Sequence, residues 1–217
     1  RAMQDMMTII HSAQPCILVG TQMLAKGHHF PNVTLVAILD ADGGLFSADF
    51  RGPERMAQMI TQVAGRAGRA EKPGQVIIQT HMAEHPLLIE LTERGYPAIA
   101  ARELAERAAA QLPPYRFMAL LRAEANHVRA AEDFLEAALA QAEALVAQHQ
   151  LADIELLGPV PSPMERRAGR HRAQLLMQAA QRSVLHQLVH MLLPALEQHP
   201  LARKVRWSID IDPLDMF

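Results

Sequence analysis

The sequence predicts an α/β unit over residues 1–111 followed by a small α+β unit of split-βαβ, ferredoxin-like type over residues 112–217. Three observations predict this. Continuous apolar runs alternate with helical periodicity in the first half, as in a parallel sheet covered on both faces. The adjacent prolines Pro113 and Pro114 then interrupt a helical pattern, because they remove backbone donors and bias the preceding residue away from helix. Beyond them the strand and helix signals follow the order βαββαβ.

In the first half, residues 2–11 have the pattern of a short amphipathic helix. Cys16-Ile17-Leu18-Val19-Gly20 reads as a buried strand ending at glycine, with Cys16 as a small buried hydrophobe. Residues 33–39 form a second strand signal that ends at Asp40 and Asp42, and residues 75–80 a third. Between them, Met56, Met59, Ile60 and Val63 share one face of a helix over 53–63. Residues 85–110 are helical, with Leu87, Leu88, Leu91, Ile99, Leu104 and Ala108 as the apolar positions.

In the second half, residues 117–125 predict a strand and the alanine- and leucine-rich stretch 130–148 a helix. A short strand over 154–157 leads into a Pro-rich loop, 158–163, and residues 174–177 predict another strand. A helix over 183–198 precedes the alternating strand 205–211, whose Trp207 sits among inward apolar positions and reads as a packing residue.

Composition narrows the function classes. The 217 residues are 50% hydrophobic and 20% charged, which is the balance of a folded chain and not of a disordered one. The formal net charge is −2, so any nucleic-acid-binding surface must be a local cluster. A single cysteine excludes a disulfide framework within the chain and any multi-thiolate zinc site. The eleven histidines are scattered, and His28-His29 lacks the spacing of a ligand set. No secretory pattern and no apolar run of about 18 residues is present, which points to the cytoplasm. The chain starts at Arg1 without an initiating methionine, as expected of an excised fragment.

Two segments carry chemistry. The first, residues 20–31, includes Thr21, Lys26 and Gly27 directly after a strand. Such a turn can present backbone N–H groups and a hydroxyl to a phosphate, or it can be an ordinary strand-to-helix connection. The second is Gln62-Val63-Ala64-Gly65-Arg66-Ala67-Gly68-Arg69-Ala70, at a helix end. Arg66 and Arg69, three residues apart, share a side if the helix continues. Two guanidiniums aimed at one spot suit a polyphosphate, whereas a solvated basic helix end is the alternative.

Taken together, Thr21-Gln22, Lys26-Gly27 and Gln62…Gly65-Arg66…Gly68-Arg69 resemble motifs V and VI of superfamily 2 helicases. The stretch from Asp40 to Arg51 resembles the PriA-type replication-restart helicases in particular. That likeness continues through Leu112-Pro113-Pro114, Leu157-Gly158-Pro159, Arg166-Arg167-Ala168-Gly169-Arg170 and Arg203-Lys204-Val205-Arg206-Trp207 to Asp210-Ile211-Asp212-Pro213.

The resemblance implies that residues 1–111 are the C-terminal part of a RecA-like second helicase lobe. It implies an ATP- and Mg²⁺-dependent 3′-to-5′ DNA helicase that recognises stalled forks and assembles a primosome. Arg66 and Arg69 would reach the ATP phosphates, one of them as an arginine finger, a role worth about 10³–10⁵ in rate in related systems. Gln62 would position water or phosphate near them, Gly65 would allow close approach to the nucleotide, and Lys26-Gly27 would couple the DNA track to it. Thr21 would contact the DNA backbone. His29 stands where many superfamily 2 helicases carry an acid, so no nucleotide contact is carried onto it.

The chain holds no G-x-x-x-x-G-K-[ST] phosphate loop, no acidic magnesium box and none of the family's zinc-binding cysteine module. It is therefore expected to be inactive as an ATPase on its own. The arginines Arg166, Arg167, Arg170 and Arg172, read as lying on a loop, are the candidates for DNA phosphate contacts in the C-terminal unit. A mobile solubilising loop is the bland alternative. Arg182, near the start of the last helix, is a candidate for the acidic tail of single-stranded-DNA-binding protein, which the family binds. Forked and single-stranded DNA and other primosome proteins are the remaining implied partners. A non-catalytic nucleic-acid-binding or protein-docking module is the competing reading, and a branch-migration helicase should lack the βαββαβ unit.

Overall fold

The computed structural model describes residues 14–20, 33–65 and 74–216. The chain divides into two compact units, Arg1–Glu103 and Leu104–Phe217.

The first unit is α/β. Strands β1 (Leu35–Ile38) and β2 (Gln75–Ile78) pair in parallel, Leu35 opposite Gln75 and Ile38 opposite Ile78. Between them lie a single turn, α1 (Asp42–Leu45), and α2 (Gly52–Ala64), a crossover of the kind parallel strands require. The methionine-rich face of α2 is inward: Met56 and Ile60 are buried, and Met59 and Val63 pack against the same cluster. Helix α3 (Pro86–Arg94) adds Leu87, Leu88 and Leu91 to that core, and Ile99 comes from α4 (Tyr96–Ala109). The single helical pattern read over 85–110 is thus two helices. Gly95, at φ +76°, takes the backbone into a region that favours glycine and ends α3. Leu104, expected inward, is exposed.

One strand expectation is corrected. Residues 14–20 form no strand, and Ile17 and Val19 are 93% and 84% exposed. Cys16 is likewise exposed, not buried. A strand exists only where a neighbour satisfies its N–H and C=O groups, and among the described residues β1 is hydrogen-bonded to β2 alone. The helix expected over 2–11 lies outside the described residues.

The second unit is α+β, with β3 (Phe117–Ala125), α5 (Val128–His149), β4 (Ile154–Arg167), β5 (Arg170–Ala179), α6 (Arg182–Gln198), a 3₁₀ turn at Pro200–Lys204 and β6 (Arg206–Ile211). The sheet order is β4-β5-β3-β6, and every neighbouring pair is antiparallel. Because β5 inserts between β3 and β4, this is the expected split-βαβ arrangement. One face of the sheet is covered by α5 and α6. Ala119, Leu121 and Ala123 of β3 and Ala173, Leu175 and Met177 of β5 meet Phe134, Leu135, Leu185, Leu188 and Leu192 of the helices there. Trp207 packs against this core with its ring 5.8 Å from that of Phe134.

Two further expectations are corrected. The Pro-rich stretch 158–163 is not a loop but part of β4, a 14-residue edge strand with register breaks between Leu157 and Val160 and between Pro161 and Arg166. On an edge strand every second residue directs its backbone groups away from the partner, so proline there removes no ladder bond. Pro161 lies opposite Ala173, and Pro159 and Pro163 fall within the two register breaks, where the ladder is already interrupted. Gly158 makes the first break possible: its φ is +114°, and a Cβ would stand 2.9 Å from the Gln174 carbonyl oxygen. The arginine-rich stretch is not a loop either. Arg166 pairs with His171 and Arg167 with Arg170, which leaves a two-residue turn at Ala168-Gly169. Both turn residues have positive φ, +48° and +80°, the signature of the type I′ turn that matches strand twist.

Candidate nucleic-acid interface

In the first unit, Gln62 and Gly65 are the helicase-motif residues that fall within the described part. Gln62 is exposed in the last turn of α2, and Gly65 caps that helix, its N–H donating to the Thr61 carbonyl at 3.0 Å. Thr21, Lys26, Gly27, Arg66 and Arg69, with His28 and His29, lie outside the described residues. An exposed Gln62 amide at the end of α2 is compatible with a nucleotide phosphate, to which its NH₂ can donate.

The Asp40–Arg51 segment shows a structural logic of its own. Asp42 sits at the carboxyl ends of β1 and β2 and clamps the chain after β2. One of its oxygens accepts from the Thr80 hydroxyl, and the other accepts from the His81 N–H at 3.0 Å and lies 2.7 Å from His81 Nδ1. These hydrogen bonds, Thr80 first, hold the Asp42 carboxyl down at a pKa of about 2. Asp49, 1% exposed, accepts from the Arg51 N–H at 2.9 Å and pairs with Arg55 at 3.1 Å, which fixes the entry to α2. These two acids shape the lobe, and both are committed to protein partners.

In the second unit, alternation sorts the arginines that the sequence offered as one cluster. Residues 173, 175, 177 and 179 of β5 lie in the core under the helices, so Arg170 and Arg172 lie on the opposite, helix-free face. Arg167, opposite Arg170, shares that face. Arg166, opposite His171, takes the other one. The structure thus brings three of the four arginines together and separates Arg166. All four stand at or beside the tip of the β4–β5 hairpin, and Arg166 and Arg167 are exposed.

Sequence reasoning missed Arg206 and Glu124 as members of this face. Both pair in register with it: Glu124 of β3 is opposite Arg172 on one side and Arg206 on the other. Arg206 Nη1 lies 3.8 Å from Glu124 Oε1, with its side chain 71% exposed. The alternation around Trp207 and Ile209 was the available signal. At the other end the face is closed: Met118 and Leu120 are buried, and Arg122 is held by Asp210 at 3.1 Å and by the Asp215 carbonyl at 2.6 Å.

Arg182 is the first residue of α6. Its guanidinium pairs with Asp212 at 2.9 Å and lies 5.0 Å from the centroid of the Phe117 ring. It is more than half exposed. Among the described residues there is no group of three or more His, Cys, Asp or Glu side chains placed to hold a metal, and no helix long and apolar enough to cross a membrane.

Comparison with known proteins identifies both halves. Residues 2–71 match the family model described as helicase conserved C-terminal domain, and residues 108–214 match the Primosomal protein N C-terminal domain. The replication restart protein PriA of Haemophilus influenzae is 46% identical over 208 residues, which cover 95% of this chain and 28% of that protein. PriA of Bacillus subtilis is 39% identical over 201 residues, covering 92% and 24%. The chain thus spans about a quarter of the length of these curated relatives. Among solved structures, a dimeric ferredoxin-like protein from an uncultured marine organism overlaps 44% of this chain and 92% of its own at 14% identity and a TM-score of 0.33. With a helicase C-terminal domain and a primosomal C-terminal domain in one chain, and relatives of one kind matching both, the chain belongs to the PriA family of replication restart proteins.

Proposed function

We propose that this chain is the C-terminal portion of a cytoplasmic, ATP- and Mg²⁺-dependent 3′-to-5′ DNA helicase that recognises stalled replication forks and restarts replication by primosome assembly. The observation that carries the reading is the succession, in one chain, of a helicase C-terminal domain and a primosomal C-terminal domain. In this reading residues 1–111 are part of the second RecA-like lobe, and residues 112–217 bind DNA and partner proteins. Arg66, Arg69 and Gln62 act on the ATP phosphates, Gly65, Lys26 and Gly27 line the nucleotide site, and Thr21 contacts the DNA backbone. ATP would supply the free energy of phosphoryl transfer, and the upstream lobe would hold its phosphates and magnesium. Zinc belongs to the family's inserted module and has no assigned place in this chain.

Of the arginines at the β4–β5 hairpin, Arg167, Arg170 and Arg172, which share the helix-free face, supply phosphate contacts that favour DNA of any sequence, and Arg166 on the other face is included in the test because it adjoins them in sequence. Arg182, flanked by Phe117 and Asp212, takes the acidic tail of single-stranded-DNA-binding protein. The test is fluorescence anisotropy of the chain with forked and single-stranded DNA across a salt series, repeated with Arg166, Arg167, Arg170 and Arg172 all changed to alanine. Salt-sensitive binding that weakens in the variant with a shallower salt slope is expected. No binding by the parent chain would overturn the DNA-binding role of this unit. DNA-stimulated ATP hydrolysis by the isolated chain is expected to be absent, because no phosphate loop lies in it.

A further inference from the structure

We infer that Arg206 belongs to a phosphate-binding face formed across three strands with Arg167, Arg170 and Arg172, and that Arg166 takes no part in it. The inference rests on the proposed DNA-binding role of this unit and specifies which side of the sheet performs it.

The register carries the case. Arg172, Glu124 and Arg206 occupy one row across β5, β3 and β6, all on the face away from the helices. Neighbouring strands are about 4.8 Å apart, which sets Arg172 and Arg206 about 10 Å from each other across the sheet. Arg170 follows Arg172 by two residues, about 7 Å along β5, and Arg167 stands opposite Arg170 on β4. Three of the four guanidiniums thus stand at the hairpin, and the fourth, Arg206, faces them from across β3. A row of cations on a sheet meets the sugar-phosphate backbone without reaching base edges, so it binds without reading sequence.

Charge is graded along this face. At the hairpin end Glu124 stands between Arg172 and Arg206, and its 3.8 Å contact with the exposed Arg206 is too long and too solvated to hold that guanidinium against a phosphate. At the opposite end Asp210 and Asp215 occupy Arg122, so that cation is already committed. Sequence proximity alone would group Arg166 with Arg167 and would leave Arg206 out; the strand register reverses both assignments.

The experiment is the same salt-series anisotropy titration on the 217-residue chain, with single substitutions. Arg206→Ala, like Arg172→Ala, is expected to weaken binding about fivefold near 0.15 M salt and to make the slope of log K against log salt shallower by about 0.7–0.9. Arg206→Lys keeps the slope. Glu124→Gln tightens binding by removing the carboxylate that competes for Arg206. Arg166→Ala and Arg129→Ala, the latter an exposed arginine at the start of α5, remove the same charge and should stay within about twofold of the parent. If Arg206→Ala behaves like Arg129→Ala while Arg167→Ala and Arg172→Ala lose affinity, the inference is overturned and the DNA-binding role stands. If Arg166→Ala loses as much as Arg167→Ala, the face assignment is overturned. No DNA binding by the parent removes both.

Discussion

Replacing Phe134 by alanine should destabilise the C-terminal unit by about 3–5 kcal/mol, with a further share from the lost aromatic pair. Phe134 is 0% exposed on α5, at the centre of the cluster where both helices meet the sheet, and its ring lies 5.8 Å from that of Trp207. The neighbours that would have to close the resulting cavity are already committed: Ala119, Leu121 and Ala123 belong to a sheet strand paired on both sides, and Leu185 and Leu188 to α6. Relaxation is therefore small and the cavity cost is near its full value. Trp207 is the single tryptophan, so urea unfolding followed by its fluorescence reports this unit specifically. With a urea m value of about 1–3 kcal/mol per molar, a loss of about 4 kcal/mol lowers the midpoint by more than about 1 M. Leu157→Ala provides the contrast: that leucine is 47% exposed on the edge strand, and its removal should change stability by less than about 0.5 kcal/mol. Equal midpoints for the parent and Phe134→Ala would refute the assignment of α5's buried face to the core.

Two other predictions follow from the backbone and from Asp42. Ala168→Gly should raise the thermal midpoint by relieving a non-glycine residue at φ +48°, and Gly169→Val should lower it by roughly 1 kcal/mol or more, since valine meets φ +80° poorly; thermal melts followed by circular dichroism check both. Asp42 has its folded pKa lowered from 3.8 to about 2, so the stability it contributes is present above pH 3.8 and lost as pH falls through about 2. Asp42→Asn should remove that acid-side dependence in a pH series of unfolding midpoints, and an unchanged profile would mean that the Thr80 and His81 contacts do not persist in solution.

The legible parts of the fold were those decided by local composition and side-chain period. The split-βαβ order came from the strand signal of residues 117–125, the alternation of 205–211 and the alanine- and leucine-rich composition of the helix over 130–148, and it recurs in the sheet order β4-β5-β3-β6. What was not legible depended on partners remote in sequence. The apolar run at Cys16–Val19 has the composition of a strand, yet composition says nothing of whether a neighbour is there to pair with it. Pro159, Pro161 and Pro163 read as a loop because proline ends most strands, and only their place at the sheet edge makes them tolerable. The four arginines read as one cluster because they are close in sequence, whereas facing is set by register, which places Arg166 and Arg167 on opposite sides.

The prolines and the arginines are connected by the same constraint. A 14-residue edge strand with Leu157, Val160 and Met164 exposed invites pairing with another chain, and such pairing would bury the hairpin that carries the arginines. Prolines in and between the register breaks offer an incoming strand no N–H donors. The two register breaks add local twist, which also disfavours continuation of the sheet. A hairpin so protected stays unpaired at its outer edge, and the type I′ turn holds Arg167 and Arg170 directly across from each other. The feature that looked least like a strand in the sequence is therefore what keeps the proposed phosphate-binding face open for a ligand that needs no strand pairing.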